Sequence, residues 1–87
     1  MFLVNLNKLR RWQSQSELDI RKMRLMRMMA EHDAKYSKIN GLHVSNILNA
    51  ILKGTIIVEH IVNAETPHDF YEVGEMIEAY YEEFPVE

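Results

Sequence analysis

Cysteine is absent from this 87-residue chain. That removes disulfides and thiolate metal sites together, and with them any sign of a secreted scaffold. The three glycines, at 41, 54 and 74, are too scattered to form a phosphate-cradling loop. There is no Gly-x-Ser-x-Gly elbow for a serine nucleophile. Nowhere do about 18 apolar residues run together, so no membrane span is expected. Phe2-Leu3-Val4 is too short for a signal-peptide core before charge arrives at Lys8, Arg10 and Arg11. These absences point to a cytoplasmic domain, and 47% hydrophobic content argues against disorder.

A chain this short buries only roughly 60–65% of its unfolded surface, which leaves a thin margin of stability. Small domains recover that margin through disulfides, a metal or oligomerisation. Disulfides are excluded here, so a homodimer or small homo-oligomer is expected.

Charge is unevenly distributed. Residues 1–40 carry nine Lys/Arg against four acids, and residues 41–87 carry only Lys53 against nine acids. The halves are therefore +5 and −8, which gives the formal −3 of the whole. Such a split marks either a surface for an acidic or nucleic-acid partner, or a basic half that packs beside the acidic half. The second arrangement is favoured, within one chain or across a dimer.

Helix signals divide the chain into three main segments, 17–39, 42–63 and 67–84. Ser14-Gln15-Ser16-Glu17 has capping-box spacing for the first start, and Asn40-Gly41 is a stop that left-handed glycine would close. Thr66-Pro67-His68-Asp69 is a strong start, with a Thr cap, Pro in the first turn and Asp at the positive dipole end. Leu3, Leu6, Leu9 and Trp12 keep helical spacing and allow a short extra helix over 3–12. The fold class expected is all-α, a small bundle packed around the second helix.

On the first helix, Leu18, Leu25, Met29, Tyr36 and Ile39 share one face, while Met23, Ala30 and Ala34 form a separate apolar strip. Two apolar faces imply a helix contacted from two sides. On the second, Val44, Ile47, Leu48, Ile51, Leu52, Val58, Ile61 and Val62 share about half the circumference, leaving Ile56 and Ile57 outside it. Thr55–Val62 has β-strand composition, but the helical stripe continues through Gly54 and favours helix. The third helix sets Phe70, Val73, Met76, Ile77, Tyr80, Tyr81 and Phe84 opposite Glu72, Glu75, Glu78, Glu82 and Glu83.

No residue set here spells out catalysis. Glu31-His32-Asp33 and Glu59-His60 are consecutive on helices, so their side chains diverge by about 100° and cannot converge on one metal. The glutamates of the third helix form a repetitive solvated face and lack the pocket that separates pKa values. No enzyme activity, metal or cofactor is expected. Met23, Met26, Met28 and Met29 lie interleaved with Arg24 and Arg27, and methionine-rich surfaces adapt to protein partners.

The reading that follows is a non-catalytic protein-binding regulator or inhibitor, of the small helical kind carried by phages and mobile elements. Its contact residues would be Met23, Arg24, Met26, Arg27, Met28 and Met29, or the acidic face of Glu72, Glu75, Glu78 and Glu82. An alternative is a nucleic-acid-binding regulator that uses Lys8, Arg10, Arg11, Trp12 and Arg21 on phosphates and a base. A third is an oligomer that holds a nucleotide-like ligand between subunits.

Overall fold

The computed structural model describes residues 2–86, with side chains from Ser16 onward. Three helices follow in order: α1, Phe2–Ile39; α2, Val44–Asn63; and α3, Pro67–Glu83. Among the described residues there is no strand, and 55–62 lies within α2. The all-α class stands.

The first helix is longer than the capping signal suggests. It runs unbroken from Phe2, so the start expected at 17 and the separate helix over 3–12 are both replaced by one element. The chain has no Gly before 41 and no Pro before 67. A serine inside a helix costs only about 0.5 kcal/mol, far less than breaking the hydrogen-bond ladder. Ser14 and Ser16 are therefore carried through.

The turn after α1 also closes differently from the expected glycine stop. Among the described residues none has positive φ, Gly41 included. Instead, the backbone N–H and side-chain amide of Asn40 both donate to the Tyr36 carbonyl, at 2.9 and 3.1 Å. His43 N–H then donates to the Asn40 carbonyl at 2.9 Å and leads into α2. The start of α3 is as expected. Thr66 Oγ1 accepts from Asp69 N–H, and the Asp69 carboxylate accepts from Thr66 N–H at 3.0 Å and Glu65 N–H at 2.9 Å.

The core forms where α1 and α3 meet one face of α2. Met29 and Tyr36 from α1, Ala50, Ile57 and Ile61 from α2, and Val73, Ile77, Tyr80 and Phe84 at the α3 side make one cluster. Buried positions on α2 run Ala50, Gly54, Ile57 and Ile61, continued by Ala64 just beyond it. Their 4-3-4-3 spacing is the seam of a helix packed along its length. This corrects the expected arc: Ile57 is core, whereas Val44, Leu48, Ile51, Leu52 and Val62 are exposed.

Gly54 explains the choice of face. A Cβ there would lie 3.2 Å from Oδ2 of Asp33 and 3.7 Å from Cε of Met29. With Ala50 one turn earlier, the two small residues let α1 side chains sit against the α2 backbone. The neighbours of Gly54 are thus side chains of α1. The radius of gyration is 16.8 Å and the longest dimension 63 Å. A compact chain of this length would have a radius near 12 Å, and the excess reflects a 38-residue α1 of about 57 Å.

Candidate functional site

Polar contacts made by α1 fix the ends of the other two helices. Lys22 Nζ donates to the Val62 carbonyl at 2.7 Å, in the last turn of α2 where carbonyls lack helical partners. His32 Nε2 lies 2.7 Å from the Phe84 carbonyl at the end of α3, and a carbonyl acceptor requires the N–H at Nε2. His32 is buried among aromatic rings, stacked on Tyr81 and edge-on to Tyr80, with Nδ1 unpartnered. Asp33, next in sequence, accepts a hydrogen bond from the Tyr80 hydroxyl. Burial first, and then Asp33 beside it, push the Tyr80 hydroxyl well above its ordinary 10.0. These groups are structural ties: Lys22, Nε2 of His32, Asp33 and Tyr80 each have a partner inside the chain.

Uncovered surface lies elsewhere. One residue on from the buried seam of α2, a second run repeats the same spacing: Val44, Leu48, Ile51, Thr55, Val58 and Val62, separated by 4-3-4-3-4. Val58 is half-buried against the core. The others are exposed, with the large apolar ones between 45% (Ile51) and 63% (Val44). The Thr55 hydroxyl donates to the Ile51 carbonyl at 2.8 Å, so it makes no polar demand outward.

A matching run lies on α1. Lys22, Met26, Met29, Asp33 and Tyr36 face α2 or the core. One residue on are Met23, Arg27, Ala30, Ala34 and Ser37, of which the first four are exposed. A shift of one residue turns the face by about 100°. On both helices the turn is away from α3, since α3 lies against His32 on α1 and against Lys53 and Ile57 on α2. The Met23-Ala30-Ala34 strip of α1 and the outer seam of α2 therefore make one shared apolar face, opposite α3.

The residues singled out from sequence scatter over three surfaces. Met29 is in the core at 1% exposure and cannot touch a partner in this fold; Met26 is half-buried beside it. Met23 belongs to the shared face, while Met28 lies on the α3 side of α1 with Tyr81. Arg21, Arg24 and Arg27 are exposed on α1. Glu72, Glu75, Glu78 and Glu82 are exposed on α3. The side chains of Lys8, Arg10, Arg11 and Trp12 lie outside the described ones. Among the described residues, no Lys or Arg of α1 pairs with a glutamate of α3; the cross-helix ion pair is Lys53 with Glu83. The basic and acidic halves thus do not neutralise one another by direct contact within the described chain.

Concavities are shallow. One, of about 590 Å³, is an open cleft between α1 and the start of α3 that carries Glu17, Asp19, Arg21 and Lys22. A smaller groove of about 260 Å³ between α2 and α3 is closed at one end by Lys53 and Glu83. Among the described residues, no three His, Asp or Glu come together to hold a metal, and no helix is long and apolar enough to cross a membrane. No protein-family model, curated protein or solved structure matches this chain.

What sequence reasoning missed is the outer seam of α2 as a surface. Its signal was present in the paired small residues Ala50 and Gly54, which mark the side where another helix approaches.

Proposed function

We propose that this chain is a non-catalytic protein-binding regulator that works by helix-to-helix contact through the shared face of α1 and α2. The observation behind this is the outer seam: six positions at coiled-coil spacing over about 27 Å, all apolar but a threonine with a satisfied hydroxyl, five of them exposed and Val58 half-buried. Contiguous exposed apolar surface of this extent on a small domain is characteristic of protein interaction sites. The exposed arginines of α1 lie beside it and would steer the encounter.

The test is site-specific photo-crosslinking in cells, with the reactive residue placed in turn at Leu48, Arg24 and Glu75. Protein adducts concentrated at Leu48 support the proposal. Adducts only at Glu75 would transfer the site to the acidic helix, and nucleic-acid adducts at Arg24 would replace the reading by the phosphate-binding one.

A further inference from the structure

We propose that the occupant of this face is a second copy of the chain, with α2 of each copy laid on α1 of the other. The inference rests on reading the face as a protein-contact surface and names what covers it.

Size is the first argument. Two helices side by side give a face about 21 Å long on α1 and about 27 Å long on α2, and about 18 Å wide, roughly 430 Å² before side-chain relief is counted. With side-chain relief added, that reaches the lower end of the roughly 600–1,000 Å² of accessible surface that each partner loses in a stable complex. Packing shape is the second. The α1 strip carries small residues, Ala30 and Ala34, and the α2 seam carries large ones, Leu48 and Ile51, with Leu52 at its margin. Large side chains of one copy fill the space over the alanines of the other; α2 on α2 would set bulk against bulk.

Charge supplies the third. Asp33 lies level with Gly54, and Lys22 with Val62, so residues on α1 and α2 at the same height have numbers that sum to about 86. A two-fold axis along the helices preserves height and exchanges α1 for α2. It then brings Ala34 of one copy to Leu52 of the other, Ala30 to Thr55 and Ile56, and Met23 to Val62. It also brings Arg27 to Glu59. Arg27 is the one charge within the α1 run, and Glu59 sits at the margin of the α2 seam; both are exposed. Arg27 has only a 4.0 Å contact to Glu31 within the chain. A perpendicular two-fold axis would instead set α1 against α1 and leave both charges without an opposite partner across the interface.

Sedimentation equilibrium from 1 to 100 µM, on the whole chain, tests this with four proteins: wild type, Arg27→Glu, Glu59→Arg and the double exchange. The wild type is expected to be dimeric. Each single reversal should weaken the dimer about tenfold, and the double exchange should restore it. A third substitution, Ile51→Glu, should weaken it roughly a hundredfold or more by burying a carboxylate, yet leave the helical circular dichroism of the monomer intact. Should Ile51→Glu lose its helicity, the charge exchange decides alone. A wild-type monomer at 100 µM overturns the proposal, as does a double exchange weaker than both singles. If the wild type is monomeric while the Leu48 photo-crosslink still captures another protein, the contact surface stands and the second copy falls.

Discussion

Tyr80 of α3 donates its hydroxyl to Asp33 of α1 directly over Gly54 of α2, so one carboxylate touches all three helices. Space at Gly54 is what lets Asp33 reach that position. Gly54→Ala should gain close to 1 kcal/mol of helix propensity and lose a similar amount by crowding the carboxylate at 3.2 Å. The net change is expected to be near zero. In an Asp33→Ala background the crowding is gone, so the same substitution should stabilise by about 1 kcal/mol. Urea denaturation of the four proteins measures the coupling. Equal effects of Gly54→Ala in the two backgrounds would show that Asp33 is not what the glycine accommodates.

The same hydrogen bond makes stability sensitive to alkali. Burial raises the hydroxyls of both Tyr80 and Tyr81 above 10.0, with the Asp33 carboxylate adding to it. The unfolded chain loses these protons near pH 10 while the folded chain keeps them. The folded state then holds more protons, so stability is intact below pH 10 and falls as pH rises past it. Tyr80→Phe should cost about 1 kcal/mol at neutral pH and flatten that alkaline fall. Unfolding midpoints taken from pH 8 to 11 report both. A slope identical in wild type and Tyr80→Phe would separate Tyr80 from the effect.

At the other end of the pH scale the cap of α3 responds. The backbone N–H of Glu65 first, and then the Thr66 hydroxyl and N–H, hold the Asp69 carboxyl below its ordinary 3.8. Its contribution is present above that value and lost as pH falls through it, once the proton displaces the two N–H donors. Thr66→Ala should cost about 1 kcal/mol at pH 7 by removing the other half of the capping box. Asp69→Asn should destabilise at pH 7 and match wild type more closely near pH 3, as thermal unfolding at the two pH values will show.

The third helix was fully readable in the sequence because its two faces differ in both hydropathy and charge, and because Thr66-Pro67-Asp69 has one structural meaning. The second was not. Its apolar arc of half the circumference contains two seams one residue apart, and hydropathy cannot say which of them the chain's own helices cover. Ala50 and Gly54 decide it through close approach, yet they weigh little on any hydropathy scale. Met23, Ala30 and Ala34 mark a second apolar strip on α1, which is exposed here, and the matching strip on α2 becomes visible only when Ile57 is seen to be buried and Leu48 is not. The role of Asp33 is hidden for a related reason: a carboxylate at the helix crossing is legible only beside the tyrosine that satisfies it.

His32 is the residue whose loss should be felt furthest from its own position. It is 7% exposed, and its Nε2–H satisfies the Phe84 carbonyl 52 residues away. The ring also fills the space between Tyr81 and Tyr80, at 4.7 Å from each. His32→Leu keeps most of the volume and removes the donor, leaving a carbonyl at the end of α3 to seek water. The cost should be about 1–3 kcal/mol. His32→Gln can present an amide N–H to the same carbonyl, so it should recover part of that loss despite its poorer packing against the rings. If the leucine variant proves more stable than the glutamine one, the contribution of His32 is packing alone. The hydrogen bond to Phe84 would then not be what anchors the end of α3.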